Sequence, residues 1–178
     1  MKTKIDIKTI VEAGLAIALA TVLSRITIFK MPQGGSVTLA GMVPLIVFAI
    51  RHGGVLGVVV GIVYGIIDAI FGGYVIGPLQ FLLDYPLAFA SMGIAGFFSK
   101  SYLKNHSIAP VLAGTVLGYV VRLIMHTLSG VIFFAEYAGE QNVWIYSIIY
   151  NGTFLAAEAA IAIVVIFALQ NVLKRGLD

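Results

Sequence analysis

The side chains of this sequence that could do chemistry are a few polar residues set inside long apolar segments: Glu12, Asp68, Asp84, Arg122, His126, Asn151 and Glu158. Charged groups at membrane depth are energetically costly and are functional candidates by default. Asp84 and His126 could act as an acid and a base. However, the sequence contains no cysteine and no HExxH, GxSxG or GxxxxGK[ST] motif. We therefore expect no catalytic residue, no metal site and no cofactor, and we do not expect an enzyme.

The depth of these polar groups favours a binding cavity over an ion path. Helical rise of about 1.5 Å per residue puts one group of them, from four segments, in the outer leaflet. That group is Asp68, Asp84, His126 and Asn151. The remaining pair, Arg122 and Glu158, falls near the midplane. An ion path would spread ionisable groups over the full depth, so we expect a cavity open to the outside and closed below by apolar packing.

Spacing on two helices predicts how the deeper polar residues meet. Arg122 and His126 are four residues apart and share one helix face. Asn151 and Glu158 are seven apart and share a face of the next helix. If both faces point inward, Arg122 and Glu158 form a structural ion pair that holds the two helices together. His126 alone could be a satisfied interior histidine, but the other polar groups at its depth favour ligand binding.

Asp84 is followed by Tyr85, and this pair indicates the charge of a ligand. A carboxylate beside aromatic rings in a half-dry cavity favours a flat cation. Further aromatic residues border the same mouth and could stack on a heterocycle: Phe133, Phe134, Tyr137 and Trp144. The alternative for these residues, and for Trp144 in particular, is an interfacial aromatic belt.

The elements that must position these residues are membrane helices. Of 178 residues, 60% are apolar and 11% are charged. A typical soluble domain has about 45–50% apolar and about 25% charged residues. The mean hydropathy is +1.04. The composition therefore predicts a multi-pass membrane protein in contact with lipid. The net charge of +3 comes from basic residues spread along the chain, which is not a nucleic-acid patch.

Six apolar segments predict an all-α fold in which residues 1–178 form one six-helix membrane domain. They are Ile7–Thr27, Val37–Ile50, Gly54–Phe71, Pro78–Phe98, Ile108–Phe134 and Tyr146–Leu173. The second segment is too short to span upright and begins with a strand-like sequence, so we expect a tilted or partly irregular helix. Between the fourth and fifth segments we expect a polar loop, Ser99–Ser107.

The distribution of lysine and arginine predicts the orientation, since cytoplasmic loops carry an excess of both. Eight basic residues fall on one side: Lys2, Lys4, Lys8, Arg51, Lys100, Lys104, Lys174 and Arg175. Only Arg25 and Lys30 fall on the other, so both termini are predicted to be cytoplasmic. The first segment could instead be a signal peptide, but Glu12 interrupts its apolar run.

Small residues repeat every four positions on two helices. Gly57, Gly61 and Gly65 form overlapping GxxxG motifs, which allow close helix approach. Ala16 and Ala20 form an AxxxA motif on the first helix. Such stripes serve either packing inside the subunit or docking of a membrane partner, and the spacing alone leaves both open.

Several separated blocks resemble the thiamine-specific S-components of energy-coupling factor (ECF) transporters. These blocks are Phe29–Leu39, Met42–Pro44, Asp84–Phe89, Arg122 with His126, Gly130–Phe133, Tyr146 and Tyr150–Gly152. The resemblance implies a six-helix protein of the bacterial plasma membrane that captures vitamin B1 from outside. It also implies a transmembrane coupling protein and two cytoplasmic ATPase subunits as partners. An S-component for another vitamin and a structural subunit of a membrane complex are the alternatives.

The resemblance also assigns roles to individual residues. It implies substrate binding by Asp84, Tyr85, His126, Tyr146 and Asn151. Phe134 stands where the family can place a ring-stacking tryptophan. Ala16 and Ala20 match the family's docking surface for the coupling protein.

Overall fold

The computed structural model describes residues 6–105 and 107–175. Lys2 and Lys4, which entered the orientation prediction, lie outside the described residues. Helix α1 spans Ile7–Arg25. Asp6 is its N-cap, and the Asp6 side chain accepts a 2.8 Å hydrogen bond from the backbone N–H of Thr9. Hydrogen bonds from Thr9 lower the pKa of Asp6, because they stabilise the charged carboxylate.

A short antiparallel hairpin follows α1, with strand β1 at Thr27–Lys30 and strand β2 at Ser36–Thr38. Helix α2 therefore spans only Val43–His52, and the prediction that it starts at Val37 is wrong. The physical reason is strand pairing, since Val37 lies opposite Phe29 in the hairpin. This hairpin is also a departure from the predicted all-α fold.

Helix α3 spans Gly54–Ile70 and is joined to α2 by Gly53, whose φ of +92° lies in the region that favours glycine. The GxxxG stripe of α3 packs inside the bundle. A Cβ added to Gly57 would lie 3.0 Å from the Cα of Gly93, and one added to Gly65 would lie 2.6 Å from the backbone of Tyr85. The stripe therefore lets α3 run antiparallel and very close to the next helical rod.

That rod is continuous but irregular, and we call it the segmented helix, residues 78–105. It consists of α4 (Pro78–Leu82), a π-helical turn (Leu83–Leu87), α5 (Ala88–Ala90), a 3₁₀ helix (Ser91–Phe98) and α6 (Ser99–Asn105). Pro86 lies within the π-helical turn, as expected for a residue that donates no backbone hydrogen bond. The predicted polar loop Ser99–Ser107 is largely wrong, because helix continues to Asn105.

Two long helices complete the bundle, α7 at Ala109–Phe133 and α8 at Val143–Ala168, followed by the short α9 at Gln170–Arg175. A 3₁₀ turn at Ala135–Ala138 lies between α7 and α8. Helix α8 begins three residues before the predicted Tyr146. The cause is a side-chain cap, since Asn142 accepts hydrogen bonds from the backbone N–H groups of Trp144 and Ile145.

The structure corrects the surface assigned to α1. Ala16 and Ala20 are 7% and 0% exposed and belong to the hydrophobic core. With Thr9 they form the buried face of α1, so they do not present a docking surface on this chain. The exposed side carries larger apolar residues: Ile7, Ile10, Val11, Leu15, Leu19 and Val22. Small side chains allow α1 to approach the bundle closely, which explains why they face inward.

Among the described residues, four helical stretches are long and apolar enough to cross a membrane: Ile7–Arg25, Pro78–Tyr102, Ala109–Phe133 and Val143–Ala168. Helices α2 and α3 are apolar but shorter. Lengths and composition agree with an integral membrane protein.

Candidate functional site

A cavity of about 690 Å³ lies at the end of the bundle where the hairpin meets α3, the segmented helix, α7 and α8. Its wall contains all six residues predicted to bind substrate: Asp84, Tyr85, His126, Phe134, Tyr146 and Asn151. Arg122 and Glu158 also line it. The structure therefore brings into one wall residues that lie far apart in the sequence, such as Asp84 and Glu158.

Asp84 is held by three hydrogen-bond donors. Its Oδ2 accepts from Gln80 Nε2 at 2.7 Å and from Ser129 Oγ at 2.6 Å, and its Oδ1 lies 2.9 Å from His126 Nδ1. Asp84 belongs to the π-helical turn. A carboxylate has about four acceptor sites, so these three bonds leave room at Oδ1 for one further donor.

The ion pair predicted between α7 and α8 forms beneath Asp84. Arg122 NH1 lies 3.0 Å from Glu158 Oε2, and both side chains are less than a tenth exposed. The guanidinium carbon lies 4.6 Å from the ring centre of Phe89. The second oxygen of Glu158 accepts hydrogen bonds from the backbone N–H and the hydroxyl of Thr38 on β2, at 3.1 and 2.6 Å. One buried carboxylate therefore joins the hairpin, α7 and α8.

Aromatic rings form much of the upper wall. The ring centres of Phe134 and Tyr137 lie 6.2 Å apart, and those of Tyr146 and Tyr150 lie 6.0 Å apart. Both pairs are stacked. The hydroxyl of Tyr85 donates to the backbone oxygen of Tyr74 at 3.2 Å. The cavity wall does not include Phe133 or Trp144, and Trp144 is 51% exposed, which fits the interfacial alternative.

Asn151 and Tyr146 leave polar atoms available on the α8 side. The amide nitrogen of Asn151 donates to the backbone oxygen of Ser147 at 2.9 Å. Within the described part of the chain, no group donates to Asn151 Oδ1 or bonds to the Tyr146 hydroxyl. A ligand amino group could therefore donate to Asn151, and a ligand acceptor could accept from Tyr146.

Sequence reasoning missed several residues of the site. Gln80 and Ser129 donate hydrogen bonds to Asp84, and Thr38 donates one to Glu158. The hydroxyl of Tyr150 holds the hairpin by accepting a 3.1 Å hydrogen bond from the backbone N–H of Gly35. One signal was present for Gln80, which lies four residues before Asp84 on the same helix face. Neutral Ser and Thr side chains in apolar helices carry no comparable signal, because they commonly bond to their own helix backbone.

The other two candidate carboxylates pair elsewhere. Asp68 lines the rim of the cavity, 3.7 Å from Arg25. Glu12 lies outside the cavity and bonds to Arg51 Nε at 3.2 Å and His52 Nε2 at 2.7 Å. Among the described residues, no group of three or more His, Asp or Glu is placed to hold a metal ion.

Comparisons with known proteins agree on one family. A family model described as "Thiamine transporter protein" matches residues 10–177. The thiamine transporter ThiT of Bacillus subtilis is 32% identical over 168 residues, covering 88% of this chain and 87% of that protein. ThiT of Lacticaseibacillus paracasei is 35% identical over 144 residues, covering 74% of this chain and 72% of that protein. The solved structure of ThiT from Listeria monocytogenes superimposes with a TM-score of 0.84 at 27% identity, covering 95% of this chain and 96% of that one.

Proposed function

The chain belongs to the thiamine transporter protein family, and we propose that it captures thiamine in the cavity that Asp84 lines. It is a multi-pass protein of the cell membrane and, as a transporter component, not an enzyme. The proposal extends to the role of an S-component. In that role this chain binds substrate, and a transmembrane coupling protein and two cytoplasmic ATPase subunits power uptake. The lack of a GxxxxGK[ST] motif in this chain supports a separate source of ATP hydrolysis.

The observation that carries the proposal is a carboxylate without a cationic partner. In the described part of the chain, no lysine or arginine forms an ion pair with Asp84. Its donors are Gln80, Ser129 and His126. The positive charge nearest in the network, Arg122, is bonded to Glu158 instead.

Thiamine matches this charge distribution. Its thiazolium ring is permanently cationic, and its aminopyrimidine ring is neutral at neutral pH. A permanent cation that is taken out of water into a protein cavity needs a fixed counter-charge, which Asp84 supplies. The amino group of the pyrimidine matches the acceptor Oδ1 of Asn151.

The aromatic wall supports ring binding as well. Phe134 and Tyr146 each lie in a stacked pair at the cavity, so their faces can contact a flat heterocycle. A ring cation gains further from such faces. Phe134 thus takes the stacking role that the family can give to a tryptophan.

We propose six membrane passages with both termini in the cytoplasm and the cavity facing outside. In the described part of the chain, four helical stretches have the length to span, and α2 and α3 complete the count as shorter passages. Helix α2 can be short because, in this orientation, the hairpin and the cavity occupy the outer half of the membrane beyond the end of α2. The excess of basic residues on the side of the termini supports this orientation.

Calorimetric titration of the purified chain in detergent with thiamine, riboflavin and biotin tests the proposal. We expect saturable binding of thiamine at one site and no heat of binding with the other two vitamins. Binding of riboflavin or biotin without binding of thiamine would support the S-component of another vitamin. No binding of any vitamin would support a structural subunit.

A further inference from the structure

The hydrogen bond between Arg122 and His126 determines where the imidazole carries its proton. Arg122 Nε lies 3.3 Å from His126 Nε2. A guanidinium group has only N–H donors, so His126 Nε2 must accept and carries no hydrogen. The single ring proton then lies on Nδ1, from which it is donated to Asp84 Oδ1 at 2.9 Å.

Arg122 is itself held by two other elements directly and by a third through Glu158. Glu158 on α8 accepts from NH1, the ring of Phe89 on α5 lies under the guanidinium, and Thr38 on β2 fixes Glu158 from the other side. The planar guanidinium can serve Glu158 and His126 at once because its donors point in fixed directions. A lysine in its place would have one nitrogen for both acceptors.

From this arrangement we propose that Arg122 is a positioning residue for the binding site, which holds His126 neutral and in the tautomer that donates to Asp84. The role goes beyond the ion pair with Glu158, and it rests on the proposed function. A second proton on His126 would bind to the Nε2 lone pair that accepts from Arg122. The N–H groups of two cations, the imidazolium and the guanidinium, would then face each other. Because His126 stays neutral, Asp84 keeps an uncompensated charge for a cationic ligand.

The groups that face the imidazole are few. Asp84 approaches from the π-helical turn, Arg122 from its own helix, and Asn151 from α8, where its amide nitrogen is 3.4 Å from the backbone oxygen of His126. Glu158 on α8 reaches His126 only through Arg122. The same cavity is also lined by Asp68 of α3, Arg25 of α1 and Lys30 of β1.

The test uses the Arg122→Lys variant of the full chain in detergent, with ¹⁵N-labelled histidine. Lysine keeps a positive charge for Glu158 but loses the fixed donor to His126. The chain has three histidines, and the signal of His126 is assigned by its loss in His126→Gln. Arg51→Lys is the matched control, because Arg51 also pairs with a carboxylate but lies outside the cavity.

In the wild-type protein and in Arg51→Lys we expect an Nδ1–H signal for His126 and the same thiamine Kd at pH 7.5 and pH 6.0. In Arg122→Lys we expect mixed tautomers. The thiamine Kd should then rise about 4-fold between pH 7.5 and pH 6.0, as a histidine that titrates near neutral pH loses its neutral form.

Two results would overturn the proposal. One is a wild-type His126 that carries its proton on Nε2 or on both nitrogens at pH 7.5, which needs no variant and so does not depend on how well Arg122→Lys folds. The other is an Arg122→Lys protein with an unchanged tautomer and an unchanged Kd at both pH values. Failure of the wild-type protein to bind thiamine would instead refute the proposed function, while the tautomer would still be measured independently.

Discussion

Two clusters of this protein combine a carboxylate, an arginine and a histidine, but their charges balance differently. At one end of the bundle, Glu12 bonds to Arg51 and His52. In the deeper part of the cavity, two carboxylates, Asp84 and Glu158, lie near one arginine, while Asp68 at the rim pairs with Arg25. Arg122 pairs with Glu158, and Asp84 bonds to three donors of other kinds.

The difference shows how a membrane protein can keep a carboxylate without an arginine or lysine partner, so that the carboxylate is available to a cationic ligand. The cluster at Glu12 has one carboxylate for one arginine, so its charges are matched without a ligand. The deeper part of the cavity has one carboxylate more than it has arginines, and the uncharged donors Gln80 and Ser129 stabilise Asp84 without cancelling its charge. The same residue types therefore give a closed structural contact in one place and, in the other, the site that we propose for a cationic ligand.

The largest effect is expected from removing the arginine of each cluster. Arg122→Met leaves Glu158 buried without a counter-charge and should lower stability by about 3–5 kcal/mol. Arg51→Met should cost less than about 1 kcal/mol, because both partners there are partly exposed. Thermal unfolding in detergent measures both. A double-mutant cycle of Arg122→Met with Glu158→Gln should show strong coupling, and simple additivity would contradict the pairing.

A smaller effect is expected when one neutral donor to Asp84 is removed. Ser129→Ala deletes a hydroxyl that bonds only to Asp84 in the structure. This bond fixes the Asp84 carboxylate before a ligand arrives. Ordering a freed side chain on binding costs up to about 1.5 kcal/mol, so we expect the thiamine Kd to rise about tenfold. Ser91→Ala is the control, since the Ser91 hydroxyl is also buried but bonds to the backbone oxygen of Ala88. Equal Kd values for the two variants would show that Ser129 does not support the site.

The smallest effect concerns packing, where the two faces of α1 can be compared directly. Ala20→Trp forces a large ring into a fully buried position and should cost about 1–3 kcal/mol in stability. Leu19→Trp, at a position 54% exposed, should stay within about 0.5 kcal/mol of wild type. Unfolding temperatures in detergent compare them, and an Ala20→Trp protein as stable as wild type would place Ala20 on the surface.

Much of the site could be predicted from the sequence because charges are rare in apolar helices. Asp84, His126 and Asn151 each stand out in their segments, and helical spacing was enough to pair Arg122 with Glu158. Bounds of α1, α3 and α7 follow the apolar runs within one or two residues. The family resemblance singled out Phe134, which aromatic composition alone could not separate from Phe133 and Trp144.

Other features could not be predicted, for physical reasons that differ. Helix α1 is apolar on nearly all sides, so no periodicity indicated that Ala20 faces inward. The hairpin depends on pairing between Phe29 and Val37, a contact made across a turn. The π-helical turn around Asp84 packs closely against Gly65, which lies on another helix, and the sequence does not show this contact.

Asp84→Asn tests the central claim, an uncompensated charge for a cationic ligand, most directly. The change keeps the shape of the side chain and removes its charge. We expect calorimetry to show a loss of about 2–5 kcal/mol in thiamine binding, some 30-fold or more in Kd. A neutral aminopyrimidine fragment should lose much less, and Glu12→Gln should change neither ligand's Kd. Equal losses for thiamine and the neutral fragment would contradict the account, and the counter-charge would then have to be sought in Asp68 or Glu158.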